Sequence, residues 1–254
     1  MKTNLYINLG NTNIVFGYSK TNDINNIEII KISSNEIKDL DTNKIIENTF
    51  KKIEKEIEIN NIYISSVVAI LEKKFKDYLN AKKYVFKFIT YKDVNFIDLT
   101  NLYNAYELGV DILSQICYVS MFFEEAIVVS VGTASVIYHI SKKAKLSGCV
   151  ILPGIEKSLE ALINSTDIQN VEIINTNNIL GLNTSEAVSI GIINMIQNYV
   201  MTIKKEMKLN SKCPIICTGG NSKYFKNNKW WFIEDLEILG LFALDKIKKL
   251  SIND

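Results

Sequence analysis

Two short stretches carry residue types suited to holding phosphate. Ile7-Asn8-Leu9-Gly10-Asn11-Thr12-Asn13-Ile14-Val15-Phe16 is echoed far along the chain by Val129-Ser130-Val131-Gly132-Thr133-Ala134-Ser135-Val136-Ile137-Tyr138. Each is an apolar run, a small polar residue, a Gly-centred turn rich in hydroxyls and amides, and a second apolar run. That order predicts a strand, a tight turn and a strand. Glycine at such a turn lets successive backbone N–H groups face one anion. Two such turns, one per half, suggest a duplicated fold that grips a polyphosphate from both sides. The plainer alternative is that hairpins of any sheet-rich protein look alike.

The elements that must position these turns follow from periodicity. Residues 4–18 and 27–33 read as strands of a first sheet. Asp41–Ile57 has helical spacing, with Ile45, Ile46, Phe50, Ile53 and Ile57 on one face. Strand, helix and strand follow at 62–68, 72–79 and 84–89, then a helix over 104–123. The second half opens at Ala126 with its own hairpin, a strand over 145–152 and a helix over 155–164. Asn183-Thr184-Ser185-Glu186 reads as a capping box starting a long helix to about Lys208. A strand over 214–218 ends in Gly219-Gly220, and an amphipathic helix over 235–250 closes the chain. Strands followed by helices, twice over, predict an α/β protein of two related domains, divided at 113/114, with a cleft between them.

Composition narrows the chemistry. The chain has 254 residues, 47% of them apolar, a formal charge of +1 and two prolines, which implies a folded protein with ample core. There is no basic stripe, so nucleic acid is not an expected partner. All 29 basic residues are Lys, so no guanidinium fork is available for bidentate phosphate contacts. No apolar run reaches membrane-spanning length, and the start of the chain lacks the apolar core of a signal peptide; together these predict a cytoplasmic protein with no membrane partner. Cys117, Cys149, Cys213 and Cys217 read as reduced, buried thiols, and the Cys213/Cys217 spacing does not suit a metal knuckle. His139, in a strand-like segment, reads as structural. Trp230-Trp231 reads as packing under the last helix before an adenine platform. Lys204-Lys205 and Lys248-Lys249 read as solvated helix faces.

The ordered motifs resemble type III pantothenate kinases. Gly10-Asn11-Thr12-Asn13 resembles that family's first phosphate motif, Asp-x-Gly-Asn-Thr, and Gly132-Thr133-Ala134 its second, Asp-x-Gly-Thr-Ala. Gly109-Val110-Asp111 resembles Gly-Ala-Asp-Arg. Gly148 with Pro153-Gly154, Gly181-Leu182-Asn183-Thr184-Ser185-Glu186-Ala187 with Gly191, Thr218-Gly219-Gly220 and Leu239-Gly240-Leu241 follow in family order. The resemblance implies two ribonuclease-H-like domains of the actin-like ATPase fold. It also implies ATP-dependent phosphorylation of pantothenate to 4′-phosphopantothenate, the first step toward coenzyme A, by a homodimer using Mg²⁺ and a monovalent cation, K⁺ or NH₄⁺.

Carried over residue by residue, the resemblance implies Asp111 as general base. It implies Asn8, Gly10, Asn11, Thr12, Asn13, Gly132, Thr133, Ala134, Gly219 and Gly220 at ATP and its phosphates. Asn104, Gly109, Val110, Ile112 and Thr184 fall to the substrate, although Thr184 reads equally well as a helix-cap residue. The departures are as informative. The first motif's Asp is Asn8 here, the second motif's is Ser130, the Arg after the central Asp is Ile112, and a Pro expected before Gly109 is Ala105. Asn8 offers a metal a neutral oxygen, and Ser130 is a poorer ligand still, here for the monovalent cation. Mg²⁺ is usually held by one or two carboxylates beside substrate phosphates, so cation binding should weaken. Two alternatives follow: a catalytically impaired binding or regulatory relative, and a same-fold kinase for another small hydroxylated substrate.

Overall fold

The computed structural model describes residues 2–39, 43–226 and 228–252. Both echoed stretches fold as hairpins, and each hairpin starts a five-stranded sheet. In the first sheet β1 (Lys2–Leu9), β2 (Asn13–Ser19) and β3 (Ile27–Ser33) run antiparallel, while β4 (Glu58–Ser66) and β5 (Phe86–Phe88) add parallel on the other side of β1. The order is β3-β2-β1-β4-β5. The second sheet repeats it as β8-β7-β6-β9-β10, with β6 (Ala126–Val131), β7 (Ala134–Ser141) and β8 (Lys145–Pro153) antiparallel and β9 (Ile215–Thr218) and β10 (Trp231–Phe232) parallel. Equal order and equal strand directions identify a duplicated α/β unit, the ribonuclease-H-like domain of the actin-like ATPase fold.

Strand alternation decides what each sheet face meets. In β1, Leu5, Ile7 and Leu9 point into an apolar core with Ile14 and Phe16 of β2 and with residues of α2 (Asn43–Glu54) and α3 (Ala69–Ala81), among them Phe50 and Phe75. The opposite face of β1 carries Asn4, Tyr6 and Asn8. Asn4 Nδ2 and the Tyr6 hydroxyl both donate to Asp245 Oδ2, at 2.8 and 2.9 Å, from the last helix, α7 (Leu236–Ile252). In the second unit, Ile127, Val129 and Val131 of β6 form a core with Ile155 of α5 (Ile155–Ser165) and Val188, Ile192, Ile196 and Val200 of α6 (Thr184–Glu206).

The division of the chain differs from the 113/114 boundary read from the sequence. One unit comprises 1–123 together with 235–254, the other 124–234. Two helices explain the difference. α4 (Val110–Phe122) stays with the first sheet, and α7 returns to it, tied to β1 through Asp245. At their crossing, Gly240 of α7 lies so close to the Ser114 carbonyl of α4 that any Cβ would collide with backbone.

Several local expectations are also revised. The helix expected over 104–123 starts only at Val110, because Leu108 is extended and the N-cap Gly109 is non-helical; Ala105–Glu107 forms a separate 3₁₀ turn. Asp41, the expected start of α2, lies outside the described residues, as do the side chains of Lys248 and Lys249. Asn183 caps α6 by accepting from Glu186 N at 2.9 Å, but the Glu186 carboxylate turns back to Leu182 N, at 2.8 Å, and does not close the box on Asn183. Cys149 is exposed, since it sits on edge strand β8. Trp230 stacks on Phe225 within the second unit, ring centroids 5.5 Å apart, and Trp231 is largely exposed; α7 belongs to the first unit. Lys204 does not simply face solvent: its ammonium donates to the Ser211 and Cys213 carbonyls, each at 2.9 Å.

Candidate active site

In the first unit, one end of the sheet gathers the chemistry-bearing residues. Asn8, buried near the end of β1, is level with Val15 of β2 and Ser65 of β4; Val15 is in turn level with Lys31 of β3. The Ser65 hydroxyl donates to Asn8 Oδ1 at 2.8 Å, which fixes the amide's orientation. Beyond Asn8 the chain turns through Gly10-Asn11-Thr12, closed by Gly10 N donating to Asn13 O at 3.1 Å. Ser34 fastens this turn twice, its N–H to Thr12 O at 2.9 Å and its hydroxyl to Gly10 O at 2.7 Å. A Cβ on Gly10 would press on the Asn13 carbonyl at 2.9 Å, so the tight turn requires glycine. Asn11, Thr12 and Asn13 are exposed at its tip.

Asp111 comes to the same end from α4. Val67, just past β4, donates its N–H to Leu9 O at 3.2 Å, and its side chain lies against Gly109, the N-cap of α4. Asp111 Oδ1 accepts from Ile112 N at 2.8 Å, and the carboxylate folds over Gly109 into space that a Cβ there would occupy. Burial raises the Asp111 carboxyl above its ordinary value, and the backbone N–H bonds oppose that rise. A carboxylate in this setting suits a proton acceptor better than an exposed one does. Val110 and Gly109 frame it. Ile112 is buried on α4. Asn104 is exposed and bonds Glu107, Nδ2 to Oε1 at 2.8 Å.

Sequence reasoning passed over one acid, Glu237. It lies in the first turn of α7 between fully buried Leu236 and Ile238. Burial, then the charges of Asp235 and Asp111, push its carboxyl up to about 7, while its own backbone N–H and Lys31 pull it down. Lys31 is itself held by Asp235 at 2.6 Å. α7 therefore brings two carboxyl groups to the unit end that holds Asn8 and Asp111. An acid set between two buried apolar residues was the available signal, but only the packing of α7 says which residues it meets.

In the second unit three glycines close around the other turn. Gly132 N donates to Ala134 O at 3.0 Å, and Thr133 and Ala134 are exposed at the tip. Gly154, N-cap of α5, donates to Thr133 O at 3.0 Å, and a Cβ there would collide with the Gly132 and Thr133 carbonyls. Gly219 adopts φ +90° with its Cα against Val131, whose carbonyl accepts from Asn221 N at 3.0 Å. Gly220 is exposed. Ser130 is level with Thr218 of β9, and the buried Thr218 hydroxyl has no hydrogen-bond partner among the described residues. Thr184 is exposed in the first turn of α6, beside the cap residue Asn183.

Both turns are tight, glycine-dependent and exposed at their tips. The donor set suits cations less well: Asn8, the expected metal ligand, is neutral and already accepts from Ser65, and Ser130, the expected monovalent-cation ligand, is a hydroxyl.

Known proteins share this fold. Over 98% of this chain and 100% of the other, the fold matches the crystal structure of a Campylobacter jejuni protein described as a Baf family transcriptional activator, with TM-score 0.63 and 20% identity. It also matches the activator of the 2-hydroxyisocaproyl-CoA dehydratase from Clostridium difficile with bound ADPNP, with TM-score 0.52 and 11% identity over 99% and 98% of the two chains. The type III pantothenate kinase of Mycoplasma mobile is 32% identical over 242 residues, 94% of this chain and 96% of that one. The type III pantothenate kinase family model matches residues 4–206, which include both turns, Asp111 and the start of α6, and the chain belongs to that family.

Proposed function

We propose that this chain transfers the γ-phosphoryl group of ATP to the primary hydroxyl of pantothenate, giving 4′-phosphopantothenate and ADP, the first step of coenzyme A biosynthesis. The observation that carries the reading is the pairing, at one end of the first unit's sheet, of a tight glycine turn with the half-buried Asp111 carboxylate. Asp111 takes the proton from the hydroxyl as its oxygen bonds to phosphorus and the bond to the β-phosphate oxygen breaks. Phosphoryl transfer asks mainly for positioning and charge neutralisation, which backbone amides at Gly10–Asn13 and Gly132–Ala134, with Gly219 and Gly220, supply. Asn104, Gly109, Val110, Ile112 and Thr184 belong to the pantothenate region, Ile112 by fixing α4 from within the core. Mg²⁺, carried chiefly by the nucleotide's own phosphates, would neutralise charge there, with a neutral oxygen from Asn8 as its protein contact. K⁺ or NH₄⁺ belongs near Ser130. We assign the enzyme to the cytoplasm, as a homodimer.

The neutral residues at Asn8 and Ser130 favour one second reading, a relative that binds ATP and pantothenate without turnover. A coupled ADP-release assay separates the two. The kinase reading expects pantothenate-dependent turnover with ATP and Mg²⁺, raised by K⁺ or NH₄⁺. Asp111→Asn should lower it by about 10²–10⁴-fold with the melting temperature nearly unchanged. A loss below tenfold removes the general-base role. Folded wild-type protein that shows ligand-induced thermal shifts and no turnover would establish the binding-only reading in its place.

A further inference from the structure

The second unit holds a cluster that the kinase reaction does not use. Glu125, just before β6, His139 of β7 and Cys213, just before β9, place a carboxylate oxygen, an imidazole nitrogen and a thiol sulfur all within 4.8 Å of one another. Three separate strands are needed to assemble it. His139 is level with Ile127, and Ile127 with Ile215, so the cluster lies at the end of the sheet away from the Gly132 turn. Along β6, Ile127 and Ser130 are about 10 Å apart at ~3.3 Å per residue.

The His139 ring is aimed by a bulge. In the β7–β8 pairing His139 faces Gly148 and Ile140 faces Leu146, which leaves Ser147 without a register partner. The Ser147 hydroxyl lies 2.8 Å from His139 Nδ1. That leaves Nε2 directed at the cluster, 3.5 Å from Glu125 Oε1. His139 is 4% exposed, and its buried Nε2 makes no hydrogen bond among the described residues. A buried polar atom without a partner is costly, and native proteins rarely keep one without reason. The Cys213 thiol makes a long contact to the Pro214 carbonyl, at 3.8 Å, and lies beside the Glu125 carboxylate and the Ile127 N–H.

We propose that Glu125, His139 and Cys213 form a three-residue site for a borderline-soft divalent cation of the Zn²⁺ class, completed by water on the Glu125 side. A thiolate, an imidazole and a carboxylate are the ligand types Zn²⁺ takes, at ~2.0–2.3 Å. Tetrahedral geometry at those lengths needs ligand atoms about 3.3–3.8 Å apart, so from a spread of up to 4.8 Å the cluster has to contract by at most about 1–1.5 Å. Ser147 then acts as the positioning partner that accepts a hydrogen bond from Nδ1–H and leaves the Nε2 lone pair for the metal, the role outer groups play at histidine-ligated sites. Burial keeps the imidazole below its ordinary pKa, and so neutral and able to ligate, while it raises the Cys213 thiol, so binding must release the thiol proton. Thiolate and carboxylate together balance the cation's two charges. The metal would cross-link the entry to β6, strand β7 and the entry to β9, and so act as a structural staple for the second unit.

The test uses the full chain, stripped with a chelator and titrated with Co²⁺ and then Zn²⁺. One equivalent of Co²⁺ should give thiolate-to-cobalt charge-transfer absorption that Zn²⁺ displaces. That absorption should be lost in Cys213→Ala, retained in Cys149→Ser, and weakened about 10–100-fold in apparent affinity in Ser147→Ala. X-ray absorption of the Zn²⁺-loaded wild type needs no variant and should show one sulfur with nitrogen and oxygen ligands. Zn²⁺ should also raise the wild-type melting temperature. The proposal is overturned if the wild type gives no such absorption, if the absorption survives Cys213→Ala, if it follows Cys149, or if zinc is bound with no sulfur neighbour.

Discussion

Among the individual residues, the acids of the first unit carry the sharpest expectations. Glu237 has its folded carboxyl raised from 4.5 to about 7, chiefly by burial. The native state therefore holds its proton over a range where the unfolded chain has lost it. By linkage this contribution is fully present below about pH 4.5 and is lost as pH rises to about 7. Glu237→Gln should flatten that slope and raise the melting temperature at pH 8, read from unfolding curves across pH; an unchanged pH profile would mean Glu237 is solvated. Asn8 is the complementary case. Its Oδ1 accepts from Ser65, a contact a carboxylate would keep, so Asn8→Asp is compatible with the local geometry. We expect Asn8→Asp, and separately Ser130→Asp, to lower the Mg²⁺ or K⁺ concentration needed for half-maximal turnover. Turnover curves against each cation that do not move would show that these positions do not act on cations.

Among the elements, the crossing of α4 and α7 is the most constrained feature. Gly240 lets the helices touch at the Ser114 carbonyl, and Gly17 of β2 likewise leaves room for Ile238. Gly240→Ala must push backbone against backbone, with a cost of about 1–3 kcal/mol or more. Gly191 of α6 provides the control, since nothing lies within 4 Å of a Cβ there. Gly191→Ala should be neutral or stabilise by up to ~1 kcal/mol through helix propensity. Urea unfolding of the two variants side by side reads both signs, and a harmless Gly240→Ala would mean the helices are less closely packed. α4 also bears on the expected dimer. Its apolarity on more than one face is met largely by burial inside its own unit, where Ile112, Leu113, Ile116, Cys117 and Val119 are covered.

For the molecule as a whole, Met121 and Phe122 remain exposed at the end of α4, with Phe122 against Tyr118 at 4.6 Å between ring centroids. If copies pair as proposed, this end offers them an apolar surface. Light scattering at micromolar concentration should give twice the chain mass, and Phe122→Lys should shift it toward the monomer. A monomer mass for the wild type would remove the homodimer from the proposal. Among the described residues no helix is long and apolar enough to cross a membrane.

The sequence by itself determined the two hairpins, their glycine turns, the α/β duplication and the order of motifs from Asn8 to Gly240. These are local or periodic properties: a turn needs glycine where it occurs, and a strand shows its buried face in its alternation. It also marked Asp111 and the loss of charge at Asn8 and Ser130, because residue type alone carries that information. Only the tertiary structure decided where α4 and α7 belong, since Asn4, Tyr6 and Asp245 meet across almost the whole chain length. The same holds for the Asp111–Glu237 neighbourhood and for Glu125, His139 and Cys213. Each depends on side chains brought together by sheet register and helix crossing, which no spacing along the chain encodes.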